Sequence, residues 1–244
     1  MLFTYKDYYE LLTHILNDRE TMMFLRHDVD ISPMKALELA KREANMHVGP
    51  ATYFIHTCSE WYNPFDSESS EYIRRILELG HHIGLHYDVN VMGNTDKEIL
   101  SRIVWHANFL GEHFDTKVKS VSQHQPKRNI INYEVLTQLQ TIDLNDPMIT
   151  MKNYKYLSDS GMMWNEDPFK LVNNYKRIHL NLHPEWWATK EGTVEDRLHD
   201  LELDKNIDRK VYKRLEGIRE RNERAKNAHN RSPQVRNDKP SEIL

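Results

Sequence analysis

Four short apolar stretches in this chain, Met22 to Leu25, Ile83 to Leu85, Val118 to Val121 and Ile178 to Leu182, each run into a histidine or a carboxylate. They close on Arg26-His27-Asp28-Val29-Asp30, His86-Tyr87-Asp88, Ser122-Gln123-His124-Gln125-Pro126 and His183-Pro184. Helical patterns fill the intervals. Strands alternating with helices predict a parallel sheet or barrel. Polar residues repeated at similar strand ends predict one mouth where those strands converge. Imidazole and carboxylate together suit zinc and similar first-row ions.

Periodicity and capping signals place the elements. Tyr5 to Leu16 reads as a helix with Tyr8, Leu11, Leu12 and Ile15 on one face. Met22 to His27 reads as a strand, and Ser32-Pro33 opens a helix to about Met46, serine as cap and proline in the first turn. Ala51 to Ile55 is a second strand. A helix from Ser69 ends at Gly80, and Thr95 with Glu98 forms a capping box for a helix to Phe114. His82 to Tyr87 and Val118 to Ser122 are strands, Ile130 to Leu139 a short helix, Tyr154 to Leu157 a further strand, Ile178 to Leu182 the last. Val194 to Arg224 reads as one long helix, and residues 227–244, polar and with two prolines, as disordered.

Strand alternation separates two faces. Arg26, Asp28 and Asp30 share one; His82, Gly84 and His86 share one; so do Ser120, Ser122 and His124, and His179, Asn181 and His183. The opposite positions are mostly aliphatic. In parallel barrels the chemistry gathers at the C-terminal strand ends, where Asp28, Asp30, His86, His124 and His183 fall. Without Glu after His82, His82 and His86 are not a helical zinc pair, and His81 and His82 read as surface or packing residues.

The 244 residues suit one large domain. The hydrophobic fraction of 39% and charged fraction of 29% are those of a soluble protein. No apolar run approaches the roughly 18 residues of a membrane span. With no secretory pattern at the N-terminus and a single cysteine, Cys58, the expectation is a cytoplasmic protein. Residues 205–244 carry a net +6 and the remainder −10. No aromatic follows Tyr212 to stack on bases, so no nucleic-acid partner is expected.

Leu25-Arg26-His27-Asp28-Val29-Asp30, Gly80-His81-His82-Ile83-Gly84-Leu85-His86-Tyr87 and Leu182-His183-Pro184-Glu185-Trp186-Trp187 resemble the polysaccharide deacetylase superfamily, the NodB-homology or carbohydrate esterase family 4 fold. The resemblance spans about residues 20–190, in a divergent branch with HDVD and GLHY in the usual motif positions. It implies an α/β fold, a distorted (β/α) barrel of the NodB-homology type with parallel strands, that hydrolyses N-acetyl or related amide bonds with a divalent metal. Asp28 then matches the catalytic base, Asp30 the metal carboxylate, His86 the first metal histidine and His183 the general acid. Asp159-Ser160-Gly161 with Trp164 resembles the motif that orients that histidine and lines the pocket. Ser122 to Pro126 resembles the motif whose arginine contacts the base; here the nearest basic residues are Lys127 and Arg128. The family's second metal histidine is replaced by Asn90, so the third ligand is His124 or Asp88, His124 being preferred for its strand-end position and parity.

The expected organisation is an N-terminal helix (1–20), a barrel (21–192), a C-terminal helix packed on it (193–226) and a tail (227–244). The expected activity is metal-dependent deacetylation of an N-acetylated sugar or sugar nucleotide for a surface glycan. Zinc is the first choice of metal, with iron, cobalt or nickel as alternatives. Arg26, Tyr87, Asp159, Trp164 and Trp186 are candidate contacts to that small-molecule or glycan substrate. The competing expectations are hydrolysis of another C–N bond, and a metal-free member that holds a glycan with Trp164, Trp186 and Trp187.

Overall fold

The computed structural model describes residues 3–18, 20–125, 142–143, 154–201 and 208–231. The chain divides into two units, Met1–Leu201 and Glu202–Leu244. In the first, seven parallel strands, β1 (Met22–Val29), β2 (Thr52–His56), β3 (His82–Tyr87), β4 (Ser120–Gln123), β5 (Ile142–Asp143), β6 (Lys155–Ser158) and β7 (Arg177–Leu182), lie in the order β5-β4-β3-β2-β1-β7-β6. Its helices are α1 (Tyr5–Leu16), α2 (Pro33–Met46), α3 (Ser67–Glu78), α4 (Asp96–His113), α5 (Pro168–Asn174) and α6 (Val194–His199). In the second unit α7 spans Asp208–Arg231.

The sheet curls into a distorted, incomplete (β/α) barrel. In a flat sheet β4 would lie three strand spacings, about 14 Å, from β1. Yet Arg26 of β1 hydrogen-bonds Ser122 of β4, and Asp30 Oδ1 lies 3.2 Å from His124 Nδ1. Only a strongly curved sheet brings these strands' inner faces together.

Local chemistry sets the elements much as the sequence reads. Ser32 Oγ accepts from the Lys35 amide to cap α2, with Pro33 following. Thr95 and Glu98 form a reciprocal capping box on α4, as Thr4 and Asp7 do on α1. Gly80, at φ 89°, stops α3 in a left-handed conformation that only glycine adopts freely. The single helix expected over Val194 to Arg224 is instead two: α6 ends after His199, with Asp200 as its C-cap, and α7 starts at Asp208 and continues to Arg231. The helix expected over Ile130 to Leu139 lies outside the described residues, as does the chain beyond Arg231.

The outer face of the sheet carries the apolar core. Val29, Tyr53, Ile55, Ile83, Leu85 and Val121 are buried, as are Leu37, Leu39 and Ala40 of α2, Ile73 and Ile76 of α3, and Ile99, Ile103 and Leu110 of α4. One charged group sits among them. Glu43 of α2 is fully buried and accepts hydrogen bonds from Tyr8, from Tyr53 (2.9 Å) and from His27 Nε2 (2.6 Å). His81 is buried as well, accepting from the Ala51 amide and donating to the Ala40 carbonyl, both at 3.1 Å, which is the packing role its sequence suggests.

Inside the barrel, Gly84 makes room for Phe54. A Cβ there would lie 2.5 Å from the Phe54 ring and 3.0 Å from the Ser120 carbonyl. The Phe54 ring in turn lies beneath the Arg26 guanidinium, 5.1 Å from its centroid. Gly84→Ala is therefore expected to destabilise the fold by about 1–3 kcal/mol, read from urea or thermal unfolding. An unchanged midpoint would show that Phe54 has somewhere else to go.

Candidate functional site

Three ligand-type side chains converge at the barrel mouth. Asp30 follows β1, His86 lies near the end of β3, and His124 follows β4. Ser32, not Asp30, caps α2. Asp30 Oδ1 is 3.2 Å from His86 Nε2 and 3.2 Å from His124 Nδ1, and the two nitrogens are 3.3 Å apart. A tetrahedral zinc with bonds of 2.0–2.1 Å sets its ligand atoms about 3.3 Å from one another. The three atoms thus form one triangular face of such a site without rearrangement. His86 Nδ1 is 3.0 Å from the Ser122 carbonyl, which can only accept. That bond places the ring's proton on Nδ1 and leaves the Nε2 lone pair toward the triangle, as ligand histidines require. Burial opposes ionisation of Asp30, but His124 and His86 outweigh it and hold the carboxyl well below its usual range.

Asn90 does not join this cluster. It is exposed and donates to Asp88 Oδ1. His124 takes the third corner instead, from a different strand end.

Beside the triangle, Asp28 sits in a rigid setting. Arg26, two residues earlier on the same face, donates Nε to Oδ1 (2.8 Å) and Nη2 to Oδ2 (2.7 Å). Asn181 of β7 adds a third bond to Oδ2 at 3.1 Å. A carboxylate has about four acceptor positions, so one remains, and Oδ2 lies 3.9 Å from His86 Nε2. Burial alone would raise the Asp28 pKa; Arg26 and then His86 overcome it, so the group is ionised well below its ordinary range. Arg26, a candidate substrate contact from the sequence, has its fork on Asp28. Lys127 and Arg128 lie outside the described residues.

His183 follows β7 across the mouth. Its Nδ1 is 2.7 Å from Asp159 Oδ1, and its backbone N–H also donates to that carboxylate. Trp187 Nε1 donates to Asp159 Oδ2 at 2.8 Å. Asp159 is fully buried and thereby fixes His183 with Nε2 facing away. Burial pulls the His183 pKa down, but the Asp159 hydrogen bond and charge win and push it up to about 9.

Asp159, Tyr87, Trp186 and Trp164 are the other expected substrate contacts. Asp159 is committed to His183 and Trp187. Tyr87 is fully buried on the pleat opposite His86, and Trp186 is fully buried in the turn Pro184–Trp186. Trp164 is half-buried, its ring 6.0 Å from that of Phe3 and 6.5 Å from that of Trp187. Sequence reasoning did not single out His56 for this site. Strand parity could have done so, since Phe54 and His56 share a face and His56 pairs in register with His86.

No family model and no curated protein matches the sequence. Among solved structures, the chain is similar to a mutant of a family 4 carbohydrate esterase pseudoenzyme with restored enzymatic activity, at a TM-score of 0.50 and 12% identity over 68% of this chain and 57% of that one. The wild-type pseudoenzyme, from Bacillus anthracis, gives 0.49 and 12% over 80% and 62%. The chitin deacetylase of the fungal pathogen Colletotrichum lindemuthianum gives 0.47 and 16% over 73% and 78%. The chain thus spans less than two thirds of the length of the pseudoenzyme it matches. The fold is similar to that of this family 4 carbohydrate esterase pseudoenzyme, a distorted (β/α) barrel with parallel strands. No described helix is long and apolar enough to cross a membrane.

Proposed function

We propose that the protein is a metal-dependent amide hydrolase that deacetylates an N-acetylated sugar or sugar nucleotide. The observation that carries this reading is the Asp30–His86–His124 triangle, with edges of 3.2, 3.2 and 3.3 Å, beside a fixed Asp28 and an oriented His183. A divalent ion held there, zinc by preference, would supply Lewis acidity and bring water toward ionisation near neutral pH. Asp28 is the base: its remaining acceptor position takes the proton of the water that attacks the acetyl carbonyl. Arg26 and Asn181 hold that carboxylate at one angle throughout. His183 Nε2–H is the acid, giving its proton to the amine nitrogen as the C–N bond breaks. The products are acetate and a free amino sugar. A single cysteine accords with the cytoplasm, where sugar nucleotides are made. The glycan-holding alternative draws less support, because Trp186 and Trp187 are fully buried and offer no face to a sugar ring.

The test is acetate release by metal-loaded protein from a panel of N-acetylated monosaccharides, oligosaccharides and nucleotide-linked sugars. Acetate from none of them, with another amide cleaved, would move the substrate to a different C–N bond. The pH profile carries a sharper expectation. Asp28 is ionised and His183, held by Asp159, is protonated through neutrality. kcat/KM is therefore expected to hold through neutrality and to fall about tenfold per unit on an alkaline limb set by His183. In Asp159→Asn, burial is no longer opposed by that carboxylate, and the alkaline limb should move down by roughly one unit or more. A limb that stays in place in that variant removes His183 from the acid role.

A further inference from the structure

His56 closes β2 and pairs with His86, so its ring emerges on the inner face beside the Asp30–His86–His124 triangle. It stands edge-on to both histidines, with ring centroids 4.9 Å from His124 and 5.7 Å from His86. The Cys58 backbone N–H donates to His56 Nδ1 at 3.2 Å. A ring nitrogen that accepts such a bond carries no proton, so the neutral imidazole bears its hydrogen on Nε2. His56 is 5% exposed as a residue, and the hydrogen bond its ring makes among the described residues is at Nδ1, which leaves the Nε2–H available as a donor. His56 is not a fourth corner of the triangle. Its Nδ1 is occupied by Cys58, its Nε2 bears a proton, and it does not share the close mutual spacing of the other three. A packing role alone would be met by an aromatic hydrocarbon, as at Phe54 on the same face of the strand.

We propose that His56 is a substrate-contacting residue whose Nε2–H donates a hydrogen bond to the acyl oxygen of the group bound at the triangle. This rests on the metal-dependent deacetylase reading above. The bond orients the acetyl group with its carbonyl carbon toward the water served by Asp28, and it persists onto the carboxylate of the acetate product. Acetate is therefore a sufficient probe.

The experiment titrates acetate into cobalt(II)-loaded protein, following the visible absorption of the bound ion, with cobalt content measured in parallel. The parent, His56→Phe and His56→Gln are compared, the glutamine offering an amide N–H in place of the imidazole donor. All three are expected to hold the same cobalt and melt within a few degrees of one another. His56→Phe should bind acetate about tenfold more weakly or worse, and His56→Gln should recover most of the loss. Full cobalt with unchanged acetate affinity in His56→Phe overturns the inference and leaves the deacetylase reading standing. Cobalt lost from His56→Phe also overturns it, because His56 would then hold the ion and not the acyl group. No acetate response in the loaded parent overturns it equally. A parent that takes up no cobalt overturns the deacetylase reading and this inference together.

Discussion

Asp28→Asn is expected to lower kcat/KM by about 10²–10⁴-fold while the protein keeps its metal. The asparagine has nearly the same shape and one carbonyl oxygen, so the Arg26 fork retains an acceptor where Asp28 now receives 2.8 and 2.7 Å bonds. It cannot take a proton from water. The triangle formed by Asp30, His86 and His124 does not include Asp28, whose Oδ2 stays 3.9 Å from His86 Nε2. Activity and metal content are thereby separated in one variant. Steady-state assay, metal analysis and a melting curve on the same preparation check the result. Full turnover in this variant would remove Asp28 from the mechanism.

Glu43→Leu is expected to be the most damaging single change to stability, at about 3–5 kcal/mol. The leucine would leave the Tyr8 and Tyr53 hydroxyls and His27 Nε2 without their shared acceptor in the core. For a domain of this size that corresponds to a fall in Tm of roughly 6–20 °C. Glu43→Gln, which keeps an acceptor oxygen, should fall less. The pH dependence has a definite sign. Burial would raise the Glu43 pKa, but His27 above all, with Tyr8 and His81, lowers it below its usual 4.5. Its contribution is present above about pH 4.5 and is lost as pH falls through the lower folded value. Acid unfolding of Glu43→Leu should therefore be flatter than that of the parent in this range. Parallel acid limbs would place the parent's acid sensitivity on other carboxylates. His27 is the residue before Asp28, so this network also anchors the strand that presents the base.

Features written in short-range pattern were legible in the sequence. The Ser32-Pro33 and Thr95–Glu98 caps, the Gly80 stop and the parity of Arg26, Asp28, His86, Asn181 and His183 follow from local stereochemistry, and the structure has them. Strand parity also carried more than was taken from it: it puts Tyr87 opposite His86, and Phe54 with His56 on the inner face. Trp186 depended on the turn at Pro184, which folds it inward, and periodicity does not encode that. The helix break after His199 carries no glycine or proline, so an apolar stripe running from Val194 to Ile218 concealed it. Glu43 reads as an ordinary solvent-facing helix residue, because its partners lie 10 to 35 positions away in sequence. The convergence of His124 on Asp30 likewise depends on the curl of the sheet across three strand spacings.

The most direct test is the metal content of protein purified without chelator or histidine tag, alongside His124→Ala and Asn90→Ala. The account predicts about one divalent ion per chain in the parent and in Asn90→Ala, and loss of the ion in His124→Ala. A parent that binds no zinc or cobalt even in excess would contradict it. So would an ion retained without His124 and lost without Asn90.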